Sequence, residues 1–195
     1  MSIELIAGNL GLDLANNRHR MRELDPERPY MGLLEIATRS GTLSTEEAAR
    51  LARAAQRRSA EALTVAARAD ALAAAIQRVL EAAIDGEATP RTALATINRE
   101  VALAESRVRI VPRAGAFERC WEVDSPMDLS RPLWPLAREV AELLVAGQLE
   151  RITICRASDC DWLFLDNSRN HSRRWCDMGT CGNRAKVRRF RARTA

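Results

Sequence analysis

Four cysteines in the C-terminal part of the chain have the spacing of a metal site. Four residues separate Cys155 from Cys160, another four separate Cys176 from Cys181, and fifteen separate the two pairs. Each short loop can turn two sulfurs inward, and the segment between the pairs can bring them together, as a tetrahedral zinc site requires. We therefore predict one structural Zn²⁺ per chain, held by Cys155, Cys160, Cys176 and Cys181.

Two disulfides, four unrelated buried thiols or an iron–sulfur cluster would also account for these cysteines. Disulfides belong to oxidising compartments, and residues 1–17 lack the basic start, long apolar core and cleavage site of a secretory signal. Iron–sulfur ligands are mostly spaced more tightly and arranged differently. His171 lies between the pairs and could replace one sulfur, although four thiolates already complete the coordination.

Short strands and a basic helix are predicted around the cysteines. Residues 151–154 and 162–165 read as two strands, the polar residues 166–170 supply a turn, and residues 183–193 favour a helix. A last ligand at the start of a helix that follows a hairpin is typical of treble-clef-like or ribbon-like fingers. We predict this module over residues 150–195.

The same region resembles the CGNR zinc finger. The matching residues are Trp162-Leu163-Phe164-Leu165-Asp166, Ser168-Arg169-Asn170, Ser172-Arg173-Arg174-Trp175-Cys176 and Cys181-Gly182-Asn183-Arg184-Ala185-Lys186. The motif is long and specific. The resemblance implies a bacterial protein whose finger binds DNA, and it implies the same four cysteines as metal ligands.

A second, shorter resemblance lies near the N-terminus. Leu12-Asp13-Leu14-Ala15-Asn16 is similar to the L-D-x-x-N signature that opens the ABATE-type domain. That domain is labelled a stress-induced transcription regulator and usually precedes the CGNR finger. The resemblance thus extends loosely over the full chain and implies a stress-responsive transcription regulator.

Residues 1–149 are predicted to form a mainly helical domain of regulatory or sensor type. A capping box at Ser44 and Glu47 begins about forty residues without glycine or proline, which predicts one long helix or two abutting ones. Further helices are expected from about Asp13, over 30–38, after Thr89-Pro90 and over 129–149. The residues predicted to face inward are Leu72, Ile76, Val79, Leu80, Ala83 and Ile84, then Leu94, Ile97, Val101 and Ala104, and finally Leu133, Leu136, Ala137, Val140, Leu143 and Leu144.

A β-hairpin is predicted within this helical domain. Residues 107–111 and 117–123 alternate between apolar and polar side chains, with a turn at 112–115. Cys120 lies on the second strand and is interpreted as a partly buried thiol outside the metal site. The predicted fold class is α+β, mainly α, with a helical body, a small β-hairpin and a C-terminal zinc finger ending in a basic helix. No linker rich in Gly, Ser or Pro precedes the finger, so we expect it to be docked on the body.

Charge is divided unevenly between the two parts. The chain carries +4 in total, and residues 151–195 contain ten arginines and one lysine against four aspartates, or +7, which leaves −3 for residues 1–150. Guanidinium groups suit phosphate oxygens and the guanine edge, so we predict nucleic-acid contacts by the finger. The candidate residues are Arg169, Arg173, Arg174, Arg184, Lys186, Arg188, Arg189, Arg191 and Arg193. Alternatively, some of them pair with the finger's own aspartates, and Arg169, Arg173 and Arg174 are the first candidates for such pairing.

Three functions fit these features, and a DNA-binding transcription regulator is favoured. A protein-interaction module fits as well, because an acidic partner would also suit a basic helix. The third is a ligand sensor or enzyme, with Asp13, Asn16 and Arg18 lining a candidate pocket for a small-molecule effector. A zinc ion with four protein ligands has no open position, and the sequence lacks Walker A and H-E-x-x-H motifs, so we expect no enzymatic activity.

Composition bounds the remaining expectations. A chain of 195 residues with 47% hydrophobic and 29% charged residues can bury a core, and no apolar run approaches a membrane span. We therefore expect a soluble cytoplasmic protein. A homodimer is considered on functional grounds, because one small finger offers a modest DNA interface.

Overall fold

The computed structural model describes residues 2–121 and 127–194, with the backbone alone for residues 193 and 194. The mainly helical class predicted from the sequence is confirmed. The helices are α1 Leu10–Asn16, α2 Arg18–Leu24, α3 Tyr30–Arg39, α4 Thr45–Arg57, α5 Ser59–Ile84, α6 Arg91–Glu105, α7 Leu133–Val145 and α8 Asn183–Thr194. The strands are β1 Val108–Arg113, β2 Ala116–Trp121, β3 Ile152–Ile154 and β4 Leu163–Leu165, and β1 pairs with β2 and β3 with β4, both antiparallel.

The long helix α5 lies at the centre of the helical body, where α1 and α6 pack against it. The segment after the capping box forms two helices, which separate at Arg58, where φ is −126°. The predicted inward residues that are buried are Leu72, Ile76, Val79 and Leu80. Ala83 and Ile84 were predicted wrongly, because both are exposed and Ala82 takes the inward position in the last turn of α5.

Helix α6 buries a charged side chain that was not among the residues predicted to face inward. Ile97 and Ala104 are buried as predicted, whereas Leu94 is 36% exposed. Glu100 is only 1% exposed and faces inward, because Arg68 of α5 pairs with its carboxylate at 2.7 Å. A buried carboxylate with a bound guanidinium can replace an apolar residue in such a stripe.

Helix α1 begins earlier than the predicted start at Asp13. Asn9 caps the helix, since its Oδ1 accepts a hydrogen bond from Gly11 N at 2.8 Å. Gly11 therefore lies inside the helix and does not break it. A Cβ atom at this position would lie 2.5 Å from Val140 Cγ2, so the glycine permits the close packing of α1 on α7.

The strands of the β1–β2 hairpin extend closer to the turn than predicted, and most of their side chains are exposed. Pro112, assigned to the turn by sequence, lies within β1 opposite Phe117. The turn is made by Ala114 and Gly115, which both have positive φ, 46° and 85°, as a tight hairpin turn requires. The predicted end of the second strand, residues 122–123, falls outside the described residues.

The last helix of the body leads directly into the finger. α7 is shorter than the predicted 129–149 and buries the expected face, although Leu144 is only half-buried. Gly147, with φ of 65°, ends the helical segment, and one 3-10 turn at Leu149–Arg151 precedes β3. Among the described residues, no helix has both the length and the apolar character needed to cross a membrane.

Candidate metal centre and basic surface

The four predicted cysteines converge on one point. Their Sγ atoms all lie within 4.8 Å of one another, and Cys176 Sγ lies 3.7 Å from that of Cys160 and 3.6 Å from that of Cys181. Zinc–sulfur bonds of about 2.3 Å imply a tetrahedral S–S edge of about 3.8 Å, whereas a disulfide bond measures about 2.05 Å. The cysteines are therefore positioned to bind one metal ion, consistent with one structural zinc per chain, and the disulfide alternative is excluded.

The first pair of cysteines lies in a tight loop after β3. Cys155 N donates to Trp162 O at 2.9 Å, which continues the β3–β4 pairing by one residue. Cys160 N donates to Ala157 O at 3.1 Å and closes the turn. These backbone bonds fix the loop so that both sulfurs can face the second pair.

The second pair leads into the terminal helix. Asp177 caps a single π-helical turn, Met178–Gly182, because its Oδ1 accepts a hydrogen bond from Thr180 N at 2.7 Å. Cys181 lies within that turn, directly before α8. The last ligand thus lies at the start of a helix, as predicted for a treble-clef-like finger.

Burial disfavours the charged thiolate form of two cysteines in the cluster, and a bound cation would reverse this preference. Burial raises the pKa of the Cys160 and Cys176 thiols. Burial acts in the same direction at Cys181, but hydrogen bonds from the Arg184 guanidinium, 3.0 Å from its Sγ, and from the other cysteines together outweigh it and lower the pKa of that thiol. A coordinated metal ion deprotonates its thiol ligands outright. Four cysteine ligands also leave the ion no open position, which fits a structural role.

A buried carboxylate organises the loop between β4 and the second pair. Asp166 accepts hydrogen bonds from Ser168 N at 2.8 Å and Arg173 N at 2.9 Å. Burial opposes ionisation of Asp166, but these bonds prevail and hold its pKa below the usual range. His171, considered as a substitute ligand, has its Nδ1 atom 3.3 Å from Asp166 O and is not a member of the cysteine cluster.

Two groups near the N-terminus bind the free edge of β4. Asn16 Nδ2 donates to Leu163 O at 2.8 Å, and Leu163 N donates to Asn16 Oδ1 at 2.9 Å. Two residues along the strand, Leu165 N donates to Ala7 O at 2.8 Å. The finger is therefore docked on the helical body through a strand edge.

The other two members of the predicted ligand pocket also make contacts within the protein. Asp13 Oδ1 accepts hydrogen bonds from Ile6 N and Ala7 N, each at 2.9 Å. Arg18 forms a forked pair with Asp70, at 3.0 and 2.9 Å. Asp13, Asn16 and Arg18 thus contact three different parts of the protein, which gives no support to a shared pocket.

Some of the candidate nucleic-acid residues are engaged within the finger. Arg173 Nε donates to Trp175 O at 3.0 Å, so this side chain supports the loop. Arg184 and Arg188 pair with Asp159 at 3.1 and 3.2 Å. Pairing with the finger's own aspartates does occur, but it involves residues of α8. Among the described residues, no such ion pair is formed by Arg169, Arg173 or Arg174, where pairing was expected first.

The other candidates are exposed, apart from one whose side chain is not described. Arg193 lies in α8, and its side chain falls outside the described part of the structure. α8 contains no acidic residue, and along it the side chains from Lys186 to Ala192 are exposed. Besides Arg184 and Arg188, the exposed candidates are Arg169, Arg174, Lys186, Arg189 and Arg191.

A groove with basic walls crosses the finger between the loop from Cys155 to Cys160 and α8. It encloses about 260 Å³, and its arginines are Arg156, Arg174, Arg188 and Arg189. We call this the basic groove. Trp175 also lines it, and its described lining contains no carboxylate. Sequence reasoning missed Arg156, although its place in an exposed turn directly after the first ligand could have identified it.

Two family models match the chain in the order expected from its motifs. A model described as "CGNR zinc finger" matches residues 151–194. A model described as "ABATE: Putative stress-induced transcription regulator" matches residues 8–147. The comparison with curated proteins found no matching sequence.

Proposed function

The chain belongs to the ABATE family, described as "Putative stress-induced transcription regulator", and on that basis we propose that it is a DNA-binding regulator of transcription. The zinc finger binds the duplex, and the helical body, held against it at the β4 edge, is the regulatory part. The response is to stress, and the protein acts in the bacterial cytoplasm.

The observation that carries this proposal is the basic groove of the finger, whose described lining contains four arginines and no carboxylate. Arg188 and Arg189 belong both to α8 and to the basic groove, so these cations of the helix line the same groove as Arg156 of the first cysteine loop. Guanidinium groups fork onto phosphate oxygens, and the negative body confines the attraction for DNA to one end of the protein. The zinc ion positions this surface by fixing the start of α8.

No catalytic role is proposed for the zinc ion. Cys155, Cys160, Cys176 and Cys181 supply four ligands, so a substrate or water would find no free coordination position. The protein is accordingly proposed to be a regulator and not an enzyme.

A protein-interaction finger is the second candidate, and exposed apolar side chains favour it. Met178, Val187 and Phe190 are 65%, 46% and 67% exposed, and they lie on the π-helical turn and α8. Apolar side chains beside cations are also common at protein interfaces. This candidate requires a partner with an acidic, partly apolar surface.

Salt-dependent binding to duplex DNA distinguishes the two candidates. If six cations displace counterions, the slope of log K against log salt is about −5. Replacing Arg188 and Arg189 together by Gln should weaken binding to every duplex and reduce that slope by up to about two units. The matched control is the same double change at Arg53 and Arg57, two exposed arginines on α4.

Three results would favour the protein-interaction finger over DNA binding. They are an unchanged salt slope in the Arg188/Arg189 variant, an in vitro selection that yields no preferred sequence, and genome-wide immunoprecipitation without enriched sites. Zinc content and the circular dichroism spectrum must match those of the unchanged protein, so that unfolding is not mistaken for lost contact.

A further inference from the structure

A second basic cavity opens on the loop side of the finger. It encloses about 440 Å³ between β3 and the loop that precedes the second cysteine pair. We call this cavity the anion cleft. Five of its lining residues offer polar or cationic groups to a ligand, namely Thr153, Arg156, His171, Ser172 and Arg174. None of them is a cysteine of the metal cluster.

The lining of this cavity carries more positive than negative charge. Four arginines and two acidic residues line it. One of the acids, Asp166, is 4% exposed, and backbone N–H groups already bind both of its oxygens. Glu150 is the remaining acid, so cations outnumber the available carboxylates.

Two of the four arginines are committed elsewhere, and two are available. Arg151 donates to Asp166 O at 3.2 Å and to Gln148 Oε1 at 3.0 Å, and Arg173 supports the loop. Arg156 and Arg174, by contrast, are both exposed and form no ion pair with any described residue.

The backbone holds the two available arginines side by side. Arg156 N donates to Arg174 O at 2.9 Å, so the two residues are neighbours on adjacent chain segments. The Arg174 guanidinium lies 5.5 Å from the centre of the Trp175 ring, which restricts its position. Two guanidinium groups at adjacent positions are suited to gripping one tetrahedral anion from two sides.

The loop places further polar groups beside the arginines. Ser172 N is bound by Ser168 Oγ at 3.1 Å, but the hydroxyl of Ser172 has no partner among the described residues, and neither does that of Thr153. His171 adopts the left-handed conformation, with φ of 46°, which is costly for a residue with a side chain. Such a conformation persists where the surrounding structure holds it. Here the hydrogen bonds of Asp166 to Ser168 N and Arg173 N hold the loop on both sides of His171.

We propose that the anion cleft binds a phosphate group, gripped by the guanidinium groups of Arg156 and Arg174 and by the hydroxyl groups of Ser172 and Thr153. Two kinds of molecule carry such a phosphate group, a DNA strand and a free phosphorylated ligand. Because the cleft shares Arg156 and Arg174 with the basic groove, a DNA strand that leaves the groove reaches the cleft, and in this form the inference rests on the proposed function. A free phosphorylated ligand presents the same chemistry.

Titration with inorganic phosphate tests the cleft without DNA. The zinc-loaded full-length protein is titrated while the side-chain NMR signals of its arginines and of His171 are followed, at constant ionic strength. Arg156→Gln and Arg174→Gln should each weaken phosphate binding at least about tenfold, since a charge-assisted hydrogen bond is lost. Arg53→Gln, an exposed arginine on α4, should leave phosphate binding unchanged.

Duplex binding by the same variants identifies the source. If the phosphate belongs to DNA, phosphate competes with the duplex and each cleft variant reduces the salt slope by about one unit. If the ligand is a free phosphorylated molecule, phosphate affinity falls in the variants while duplex affinity stays the same.

The two proposals fail in different ways. In the first case, the Arg188/Arg189 change weakens duplex binding, but neither cleft variant alters duplex binding or phosphate binding. This result overturns the anion cleft and leaves the proposed function standing. Phosphate binding that depends on Arg156 in a protein that binds no duplex supports the cleft and overturns the proposed function.

Discussion

Replacing Asn16 by Ala should loosen the finger from the helical body. The amide of this side chain satisfies both the N–H and the C=O of Leu163, a residue only 1% exposed, at 2.9 and 2.8 Å. A hydrogen bond contributes about 0.5–1.5 kcal/mol net, and a buried polar group left unsatisfied costs about 1–3 kcal/mol. With water reaching part of the vacated site, we expect the free energy of unfolding to fall by about 2–4 kcal/mol.

Urea unfolding of the zinc-loaded protein measures this loss, and amide hydrogen exchange at Leu163 locates it. Asn98→Ala is the matched control, because Asn98 is exposed on α6 and its replacement should change stability by less than about 0.5 kcal/mol. Asn16→Asp keeps an acceptor for Leu163 N but places a carboxylate oxygen against Leu163 O, so it should also destabilise. An Asn16→Ala protein as stable as the Asn98 control, with Leu163 still protected, would refute the reasoning.

Two further predictions concern the metal and pH. Cys176→Ser should reduce zinc from about one per chain to near zero by elemental analysis and remove exchange protection from the finger while α5 stays protected, because zinc binding contributes about 10–16 kcal/mol to folding. A variant that retained both would show that the site is misassigned. Burial raises the pKa of Asp13 against the opposing hydrogen bonds from Ala7 and Ile6, so the folded chain binds this proton more tightly than the unfolded chain. The resulting stability is fully present below the unfolded pKa of about 4 and is lost as pH rises through the folded pKa. Asp13→Asn keeps an acceptor and should therefore gain stability relative to the unchanged protein as pH rises from 4 to 7 in urea titrations, whereas a constant difference would contradict this assignment.

Features set by neighbouring residues could be read from the sequence. The capping box is an example, since Ser44 Oγ accepts from Glu47 N at 3.2 Å and the Glu47 carboxylate accepts from Ser44 N at 2.9 Å. The cysteine spacing likewise identified the metal cluster, because each short loop can close in few ways. Local chemistry and local geometry sufficed in both cases.

Features set by distant partners could not be read in this way. Glu100 was not among the residues predicted to face inward, because its partner Arg68 lies 32 residues earlier. Asn16 was grouped into a ligand pocket because Leu163 lies 147 residues away. Arg156 was overlooked because its proximity to Arg174 depends on how two loops meet. Glu100 and Asn16 are thus polar side chains whose surroundings could not be predicted without the distant groups that bind them.

The docking of β4 on α1 has a consequence for the order of folding. The contact between Asn16 and Leu163 closes a loop of 147 residues, longer than the loop closed where Gly11 of α1 meets Val140 of α7. The helix pairs α5–α6 and α6–α7 and the two hairpins join segments that are closer in sequence. Contacts of long sequence separation form late, because the chain must first lose the entropy of the intervening loop. During synthesis the helical body can therefore assemble while Asn16 and Ala7, the groups that bind β4, still lack this partner. Strand β4 becomes available only when the zinc finger emerges, so the native state is completed only once the metal-binding part of the chain has been synthesised.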